Sequence, residues 1–358
     1  MSEAPSVVVI GAAAIDEWYA VSNLPEPDGG AFASEVTSAF GGVGANVSVA
    51  LDRLGRDAGL VSRVGDDEYG RRAREYLAET GVDASRVTTG DDPSTRSVVL
   101  SAPDGERAIV TTGESFRELR LDDADREALA AADVVFLTGY TPDAVSRDVV
   151  DLFDSLRTSE RGDGADGDAP ALAFDLSGPV EELLDRGTEP ATVHRLLHAA
   201  DLFIAGDVAA RAYFGGPEAA VDRVATAHEA RTDAADGWPR AVLTHGADGM
   251  TVVADGDSRR FDAFDVDVVD ATGAGDSFVA GLIDRWVAGD GAGGGDEGDD
   301  AGSSDESDDA DRADSADGVA AGVRFAAAVA AINCTSRFAQ PGVPSREEAE
   351  AFLAERGR

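Results

Sequence analysis

The sequence predicts an α/β fold in which a mainly parallel β-sheet is covered by helices on both faces. Short, continuous apolar runs rich in valine and isoleucine alternate with stretches of helical periodicity, which is the pattern of repeated strand–helix–strand units. A glycine-rich turn near residue 273 also joins an apolar run directly to a helical one. Ligands gather at such turns, because they lie at the carboxyl edge of a parallel sheet.

The elements of this pattern follow one another along the chain. The runs that we predict to be strands are Val7–Ile10, Val134–Leu137, Leu172–Phe174, Leu202–Ile204 and Ala241–Thr244. The helical stretches between them include Asn46–Leu54, Tyr69–Thr80, Ala144–Leu156 and Pro217–Ala230. The chain has 358 residues and is 43% hydrophobic, so it can bury a substantial core, and we predict a single domain over residues 1–358.

Three segments interrupt the alternation. Residues 14–40 and 95–113 resemble extended, hairpin-forming sequence, with a turn at Ala102–Arg107. Strands inserted there would suit a small β-sheet lid, which a reaction that must exclude water requires. Residues 290–317 are acidic, of low complexity and almost without apolar side chains, so we predict a disordered acidic loop.

The charge of the chain excludes several functions. The formal net charge is −40, the sequence pI is about 4.2, and the chain has no lysine. Binding to nucleic acid through phosphates requires a basic face, and a P-loop requires a lysine, so neither is expected. The repulsion among so many negative charges is screened at about 1 M salt, where the Debye length is about 3 Å. The composition therefore favours a halophilic origin. An acidic scaffold for basic partners is the alternative.

Location and metal content follow from simpler features. No stretch approaches the ~18 apolar residues of a membrane span, and the first residues carry no basic leader pattern, so we expect a cytoplasmic protein without a membrane partner. Cys334 is the only cysteine, and the four histidines form no ligand cluster. Neither a disulfide framework nor a cysteine zinc site is therefore expected.

The most informative motif is DATGAGD, residues 270–276. Asp276 opens a predicted helix, whose first N–H groups and positive dipole end favour an anion. Gly273 and Gly275 open the backbone to close approach, and Asp270 and Thr272 add polar oxygens before the turn. A carboxylate beside an anion hole fits a base that takes a proton from a hydroxyl while the hole holds the phosphoryl group under attack. A helix cap is the structural alternative.

Other polar residues follow predicted strands. Asp16 follows the first strand and could accept a hydrogen bond from a hydroxyl, although a turn residue is the alternative. Gly41 and Gly42 would let backbone approach a polar ligand, and the Asn46 amide can both donate and accept.

A second glycine-containing turn, THGADG, starts at Thr244, directly after a predicted strand. Its hydroxyl and its glycines, Gly246 and Gly249, suit a phosphate tail, because ligands gather at the carboxyl edge of a parallel sheet. A hairpin turn is the alternative.

In order along nearly the whole chain, these segments resemble the ribokinase-like (PfkB) family of carbohydrate kinases. The resemblance is carried by GGVGAN from Gly41, VGDDEYG from Val64, THGADG, DATGAGD, and the closing stretch Phe325–Ser345. It implies a three-layer αβα core with a mainly parallel sheet and a small β-sheet lid. It also implies phosphorylation of an alcohol with ATP and Mg²⁺.

The resemblance implies roles for particular residues. Asp276 would be the catalytic base, and the N–H groups of Gly273, Ala274 and Gly275 would form the anion hole. The remaining implied sites are the sugar site (Asp16, Gly41, Gly42 and Asn46), the nucleotide-phosphate site (Thr244, Gly246 and Gly249) and a K⁺ site near Asp270 and Thr272.

Three positions depart from the family pattern. Gly206 and Ala209 stand where members carry an Asn-x-x-Glu pair that supports magnesium and phosphates, and Asp207 is a candidate substitute. Ala14 replaces a sugar-binding asparagine, and Gly139–Thr141 replaces a glutamate. The sugar pocket therefore differs from that of ribokinase.

We expect an ATP-dependent kinase that acts on an alcohol of a sugar or sugar derivative, with a pentose or hexose favoured. A nucleoside, a keto-deoxy sugar acid or a sugar phosphate such as ribose 1-phosphate remains an alternative acceptor. A sugar phosphate needs a second anion contact, for which Arg96 on the lid and Arg63 are candidates. A non-catalytic regulator on the same fold is the other class, and a homodimer through the lid is possible.

Overall fold

The computed structural model describes residues 5–103, 106–160, 169–229, 239–254, 257–287 and 307–356. Within them the chain forms a nine-stranded sheet, a separate four-stranded sheet and the surrounding helices. The strands are β1 Val7–Ile10, β2 Ala14–Val21, β3 Ala33–Gly41, β4 Ala58–Gly65, β5 Val87–Gly90, β6 Arg96–Ser101, β7 Arg107–Thr112, β8 Val134–Thr138, β9 Ala171–Asp175, β10 Leu202–Gly206, β11 Pro239–Thr244, β12 Met250–Ala254 and β13 Asp257–Phe261. The helices are α1 Val43–Arg53, α2 Glu68–Leu77, α3 Asp123–Ala131, α4 Asp143–Glu160, α5 Val180–Asp185, α6 Pro190–Ala199, α7 Asp207–Phe214, α8 Pro217–Glu229, α9 Ala274–Leu282, α10 Ser307–Asn333 and α11 Arg346–Arg356.

The large sheet has the order β13-β12-β11-β10-β9-β8-β1-β4-β5 and is parallel from β5 to β11. Successive strand residues point to opposite faces, so Val7 and Val9 of β1 enter one apolar core while Val8 and Ile10 enter the other. Every residue of β1 is buried. This two-sided burial explains why the sequence of a central strand is a continuous apolar run, and the predicted α/β fold is confirmed.

The small sheet has the order β3-β2-β6-β7 and lies apart from the large one. Its four strands come from the two segments that we predicted to be extended. Strand β3 ends at Gly41 immediately before α1, so the small sheet leads directly into the carboxyl edge of the large sheet.

One sequence prediction is wrong in part. We expected a disordered acidic loop over residues 290–317, but residues 307–317 form the first turns of α10. Alanine is frequent in this stretch and favours a helix. Residues 290–306 lie outside the described residues.

A buried carboxylate ties the carboxyl-terminal elements together. Asp284, in a turn of π-helix at Ile283–Val287, is fully buried. Its Oδ1 accepts from Arg56 Nε at 2.7 Å and from Arg346 Nη2. Arg285 Nε lies 3.6 Å from Oδ2. The cluster joins the end of α9, the connection after α1 and the start of α11.

No helix in the described ranges is both long enough and apolar enough to cross a membrane.

Candidate active site

Asp276 lies in the first turn of α9, at the carboxyl edge of the large sheet. Its Oδ2 accepts a hydrogen bond from Asn46 Nδ2 at 2.7 Å. Burial raises the pKa of Asp276 to about 7; Asn46 lowers it, and the charges of Asp175 and Asp16 raise it. This carboxyl group therefore changes protonation near neutral pH, where a general base is most effective.

The turn before Asp276 requires glycine at one position. Gly273 is the N-cap of α9 with a left-handed φ of 75°, and a Cβ there would lie 2.5 Å from the Cβ of Ala339. In the part of the chain that the structure describes, the N–H groups of Gly273 and Gly275 donate to no acceptor, whereas Ala274 N donates to Ala271 O at 3.3 Å. Two of the three N–H groups assigned to the anion hole are therefore available, and the third makes only a long bond.

Asp16 lies at the start of the small sheet, where its strand pairs with β6 opposite Ser97. Burial raises the pKa of Asp16 to about 6, and a hydrogen bond with Ser97 lowers it. A Cβ on Gly41 would meet the Asp16 carboxylate at 2.1 Å, and Gly42 has a φ of 91° and lies against Ala12 O. The glycine pair thus makes room for this carboxylate and turns the chain into α1.

Asn46 contacts Asp276 rather than open space, although we predicted it to bind the sugar. It is buried in α1, and its Oδ1 accepts from Gln340 Nε2 at 2.9 Å. Its two polar atoms are therefore both engaged within the chain.

Asp175 belongs to the site, and sequence reasoning missed it. It is the last residue of β9, its Oδ1 accepts from Ser177 N at 2.9 Å, and burial raises its pKa to about 6. Its charge raises the pKa of Asp276, so the two carboxylates interact. An acidic residue directly after the predicted strand Leu172–Phe174 was the signal that could have found it.

A cavity of about 710 Å³ lies between the two sheets at this edge. Ala14 and Gly42 line it from the start of the small sheet and the turn before α1, Ser97 from the lid, and Thr138 and Tyr140 from the end of β8. It therefore lies against the segments that carry Asp16 and Asn46.

The arginines of this cavity are not the predicted ones. Arg96 pairs with Glu17 at 3.2 Å and donates to the Tyr69 hydroxyl at 2.7 Å. Its neighbour Ser97 lines the cavity. Because adjacent strand residues point to opposite faces, the Arg96 side chain points away from the cavity. Arg63 pairs with Asp92 at 2.9 Å and does not line the cavity either.

Three other arginines line the cavity: Arg117, Arg120 and Arg186. Each lies near a glutamate, and Arg186 also stacks over the Tyr140 ring at 4.7 Å. They come from loops between elements, so no strand or helix periodicity pointed to them.

The predicted nucleotide turn follows β11. Thr244 ends the strand, Gly246 begins a 3₁₀ turn with a φ of 60°, and Gly249 has a φ of 89°. His245, which is almost buried, has its Nδ1 2.7 Å from Asp207 Oδ1 and its Nε2 2.9 Å from Thr251 Oγ1. Asp207 thus braces this turn across β10 and β11.

Asp270 and Thr272 form a compact turn. Asp270 Oδ1 accepts from the N and Oγ1 atoms of Thr272 at 2.9 and 2.7 Å, and its Oδ2 accepts from Phe338 N at 2.9 Å. The K⁺ site near these residues stays a prediction. Across the described ranges, no group of three or more His, Cys, Asp or Glu side chains is arranged to hold a metal ion.

A lidded α/β fold with a partly buried carboxylate at a helix N-terminus and a cavity between the two sheets defines the class of ribokinase-like phosphotransferases. The chain belongs to the pfkB family of carbohydrate kinases, whose sequence model matches residues 4–346. It is an ATP-dependent carbohydrate kinase, and the predicted family is confirmed.

Several relatives support this assignment. The chain is 32% identical over 268 residues to the ATP-dependent ribose-1-phosphate kinase of Halopiger xanaduensis, covering 75% of this chain and 80% of the relative. It is 31% identical over 245 residues to the fructokinase of Klebsiella pneumoniae, covering 68% and 75%. Ribokinase of Arabidopsis thaliana, solved with ribose and ATP, shares the fold with a TM-score of 0.71 at 21% identity, over 98% of this chain and 99% of that one.

Proposed function

We propose that this kinase transfers the γ-phosphoryl group of ATP to a sugar hydroxyl in the cavity between the sheets, with Asp276 as the general base. The observation that carries the proposal is the placement of a partly buried carboxyl group, with a pKa of about 7, in the first turn of a helix. The same turn presents the N–H groups of Gly273 and Gly275, which donate to no acceptor among the described residues.

In the proposed step, Asp276 takes the proton of the acceptor hydroxyl while the oxygen of that hydroxyl attacks the γ-phosphorus. The bond from that phosphorus to the bridging oxygen breaks, and ADP leaves with the electron pair. The N–H groups of Gly273 and Gly275 stabilise the charge on the transferring phosphoryl oxygens. Because those donors are fixed by the backbone, they need no lysine.

Asp16 anchors the acceptor in this proposal. Its carboxylate lies at the start of the small sheet between Gly41 and Ser97, and it accepts hydrogen bonds from sugar hydroxyls. Gly42, which lines the cavity, allows close approach of the ring. The lid strands close over the cavity and exclude water, so that the phosphoryl group passes to the sugar rather than to solvent.

On the nucleotide side, Thr244, Gly246 and Gly249 form the turn that holds the phosphates. Magnesium in kinase sites is bound through one or two carboxylates together with substrate phosphates. Asp175 and Asp207, at the carboxyl ends of β9 and β10, are the oxygen donors that fit this arrangement. The ion would neutralise phosphate charge.

The three cavity arginines favour a phosphorylated sugar as the acceptor over a free sugar. Arg117, Arg120 and Arg186 line the cavity together with three carboxylates, and a guanidinium group binds phosphate through paired hydrogen bonds when it exchanges its glutamate partner for the phosphate. A relative at 32% identity is named a ribose-1-phosphate kinase, which agrees with an anionic acceptor. A free pentose or hexose is the second candidate, because relatives are also named fructokinase and ribokinase.

An acceptor screen tests this choice. We expect ADP release in concentrated KCl to be faster with ribose 1-phosphate than with ribose, fructose, a nucleoside or a keto-deoxy sugar acid. The Arg186→Ala variant should raise KM for the sugar phosphate about 10–100-fold, because a charge-assisted contact contributes about 1.5–3 kcal/mol. Arg71→Ala, which removes an exposed arginine from α2, is the matched control and should change nothing.

Other outcomes of the screen separate the alternatives. Preference for a free sugar, with KM unaffected by Arg186→Ala, would reject the anionic acceptor but keep the kinase. Binding of a sugar without ADP release by any acceptor would favour the non-catalytic regulator.

The homodimer through the lid is also part of the proposal. Phe32, Val36 and Val110 are exposed apolar residues of the lid region, with relative exposures of 76%, 57% and 59%. Strands β3 and β7 are the edges of the small sheet. A second copy covering this surface would remove the apolar residues from water.

A further inference from the structure

We propose that Gln340 is a positioning residue for the reaction, because its side chain fixes which way the Asn46 amide faces the Asp276 carboxylate. This inference rests on the proposed role of Asp276. Gln340 touches neither acceptor nor nucleotide in this account and acts only through Asn46.

The three side chains form one hydrogen-bonded chain. Gln340 Nε2 donates to Asn46 Oδ1 at 2.9 Å, and Asn46 Nδ2 donates to Asp276 Oδ2 at 2.7 Å. Gln340 and Asn46 are 1% and 6% exposed, so water does not compete for these bonds. The chain links the segment after α10 to α1 and then to α9.

The direction of the chain matters because the two ends of an amide are nearly equal in shape and opposite in hydrogen bonding. An Asn46 amide turned by half a rotation would present its oxygen to the Asp276 carboxylate, and two acceptors would face each other. The turned amide would also point its NH₂ at the NH₂ of Gln340. The donor of Gln340 therefore selects the orientation in which Asn46 supports the ionised base.

The backbone around Gln340 is held on both sides. Arg53 Nη1 donates to the backbone oxygens of Gln340 and Val343 at 2.7 and 2.9 Å. Asn333 Nδ2 donates to Ala339 O at 2.8 Å and to Ser277 Oγ at 2.6 Å. The segment that carries Gln340 is thus fastened to α1 and α9, the helices that carry Asn46 and Asp276.

The consequence concerns the protonation of the base. Burial raises the pKa of Asp276, the carboxylates of Asp175 and Asp16 add to that effect, and the hydrogen bond from Asn46 opposes it. Arg53 donates to the backbone oxygen of Gln340 and not to its side chain. If Asn46 loses this orientation, its hydrogen bond no longer lowers the pKa of Asp276, and Asp276 should stay protonated up to a higher pH.

The experiment compares pH profiles of kcat/KM for the acceptor in the full chain, in concentrated KCl, for the wild type and Gln340→Met. Methionine keeps the volume and removes the donor. We expect the acidic limb to move to higher pH, with activity at pH 6.5 reduced about tenfold, since one pKa unit is a factor of ten. Activity at pH 9 should fall by less than about threefold, and KM for ATP should not change.

A double-mutant cycle with Asn46→Ala separates positioning from packing. If Gln340 acts through Asn46, Gln340→Met should shift the limb no further in the Asn46→Ala background. Thr335→Ala, an exposed change nearby in the sequence, is the control and should leave the profile unchanged.

An unmoved acidic limb in Gln340→Met, or an additive shift in the double mutant, would overturn the inference. Should Gln340→Met fail to fold, the same limb is measured in Gln340→Leu. A wild-type profile without a limb near pH 7 would reject the role of Asp276 instead, so the two failures are distinguishable.

Discussion

Replacing Asp276 with asparagine is expected to lower kcat by about 10³–10⁴-fold, since a positioned general base contributes up to about that factor. Asparagine keeps the shape of the side chain and still accepts a hydrogen bond from Asn46, but it cannot take the proton of the acceptor hydroxyl. The measurement is ADP release in concentrated KCl with a saturating acceptor.

The same variant provides its own folding control. The pKa of Asp276 in the folded chain, about 7, is higher than the ordinary value of 3.8. The contribution of this carboxyl group to the stability of the fold is therefore complete below pH 3.8 and is lost as the pH rises through 7. Above pH 7 the wild type therefore carries a partly buried charge that Asp276→Asn lacks. The variant should melt at a higher temperature than the wild type at pH 8, with a smaller difference at pH 5. Near-normal turnover in a folded variant would contradict the mechanism.

Replacing Asp284 with alanine is expected to lower the free energy of unfolding by about 3 kcal/mol, at the low end of the range for breaking a buried ion pair. The change removes the shared partner of Arg56 and Arg346, while their partial exposure lets water recover part of the loss. Urea unfolding in concentrated KCl measures the difference. Salt should weaken the effect only slightly, because the carboxylate is fully buried.

An exposed ion pair offers the matched control for that measurement. Arg71 and Glu75 pair at 2.7 Å on α2 with both side chains more than half exposed. Glu75→Ala should change the free energy of unfolding by less than about 0.5 kcal/mol. Equal effects of the two changes would show that burial does not determine the contribution of these carboxylates.

The predictable parts of the site are those that local sequence determines. DATGAGD placed Asp276 at the start of a helix because a glycine turn and a helix start are both short-range features, although the apolar run before the turn forms no strand. Asp16 could be found for the same reason, since it lies near the start of the strand that follows β1.

The parts that were missed depend on contacts between distant elements. Arg96 was assigned to the acceptor, but the face of β6 that meets the cavity is set by pairing with β2, which sequence does not reveal. The bonds of Asn46 to Asp276 and Gln340 could not be predicted, because nothing in GGVGAN shows that α1 packs beside α9; its assignment to the sugar stays a prediction. The contact between His245 and Asp207 likewise joins two strands that are neighbours only in the folded sheet.

The central claim, that Asp276 is the base of a sugar kinase, is tested most directly by the pH dependence of kcat/KM for the best acceptor. We predict that the wild-type value rises tenfold per pH unit below an apparent pKa of about 7 and is level above it, as expected for the pKa of Asp276. The residual activity of Asp276→Asn should show no such limb. A wild-type limb near pH 4, or the same limb near pH 7 in Asp276→Asn, would contradict the account.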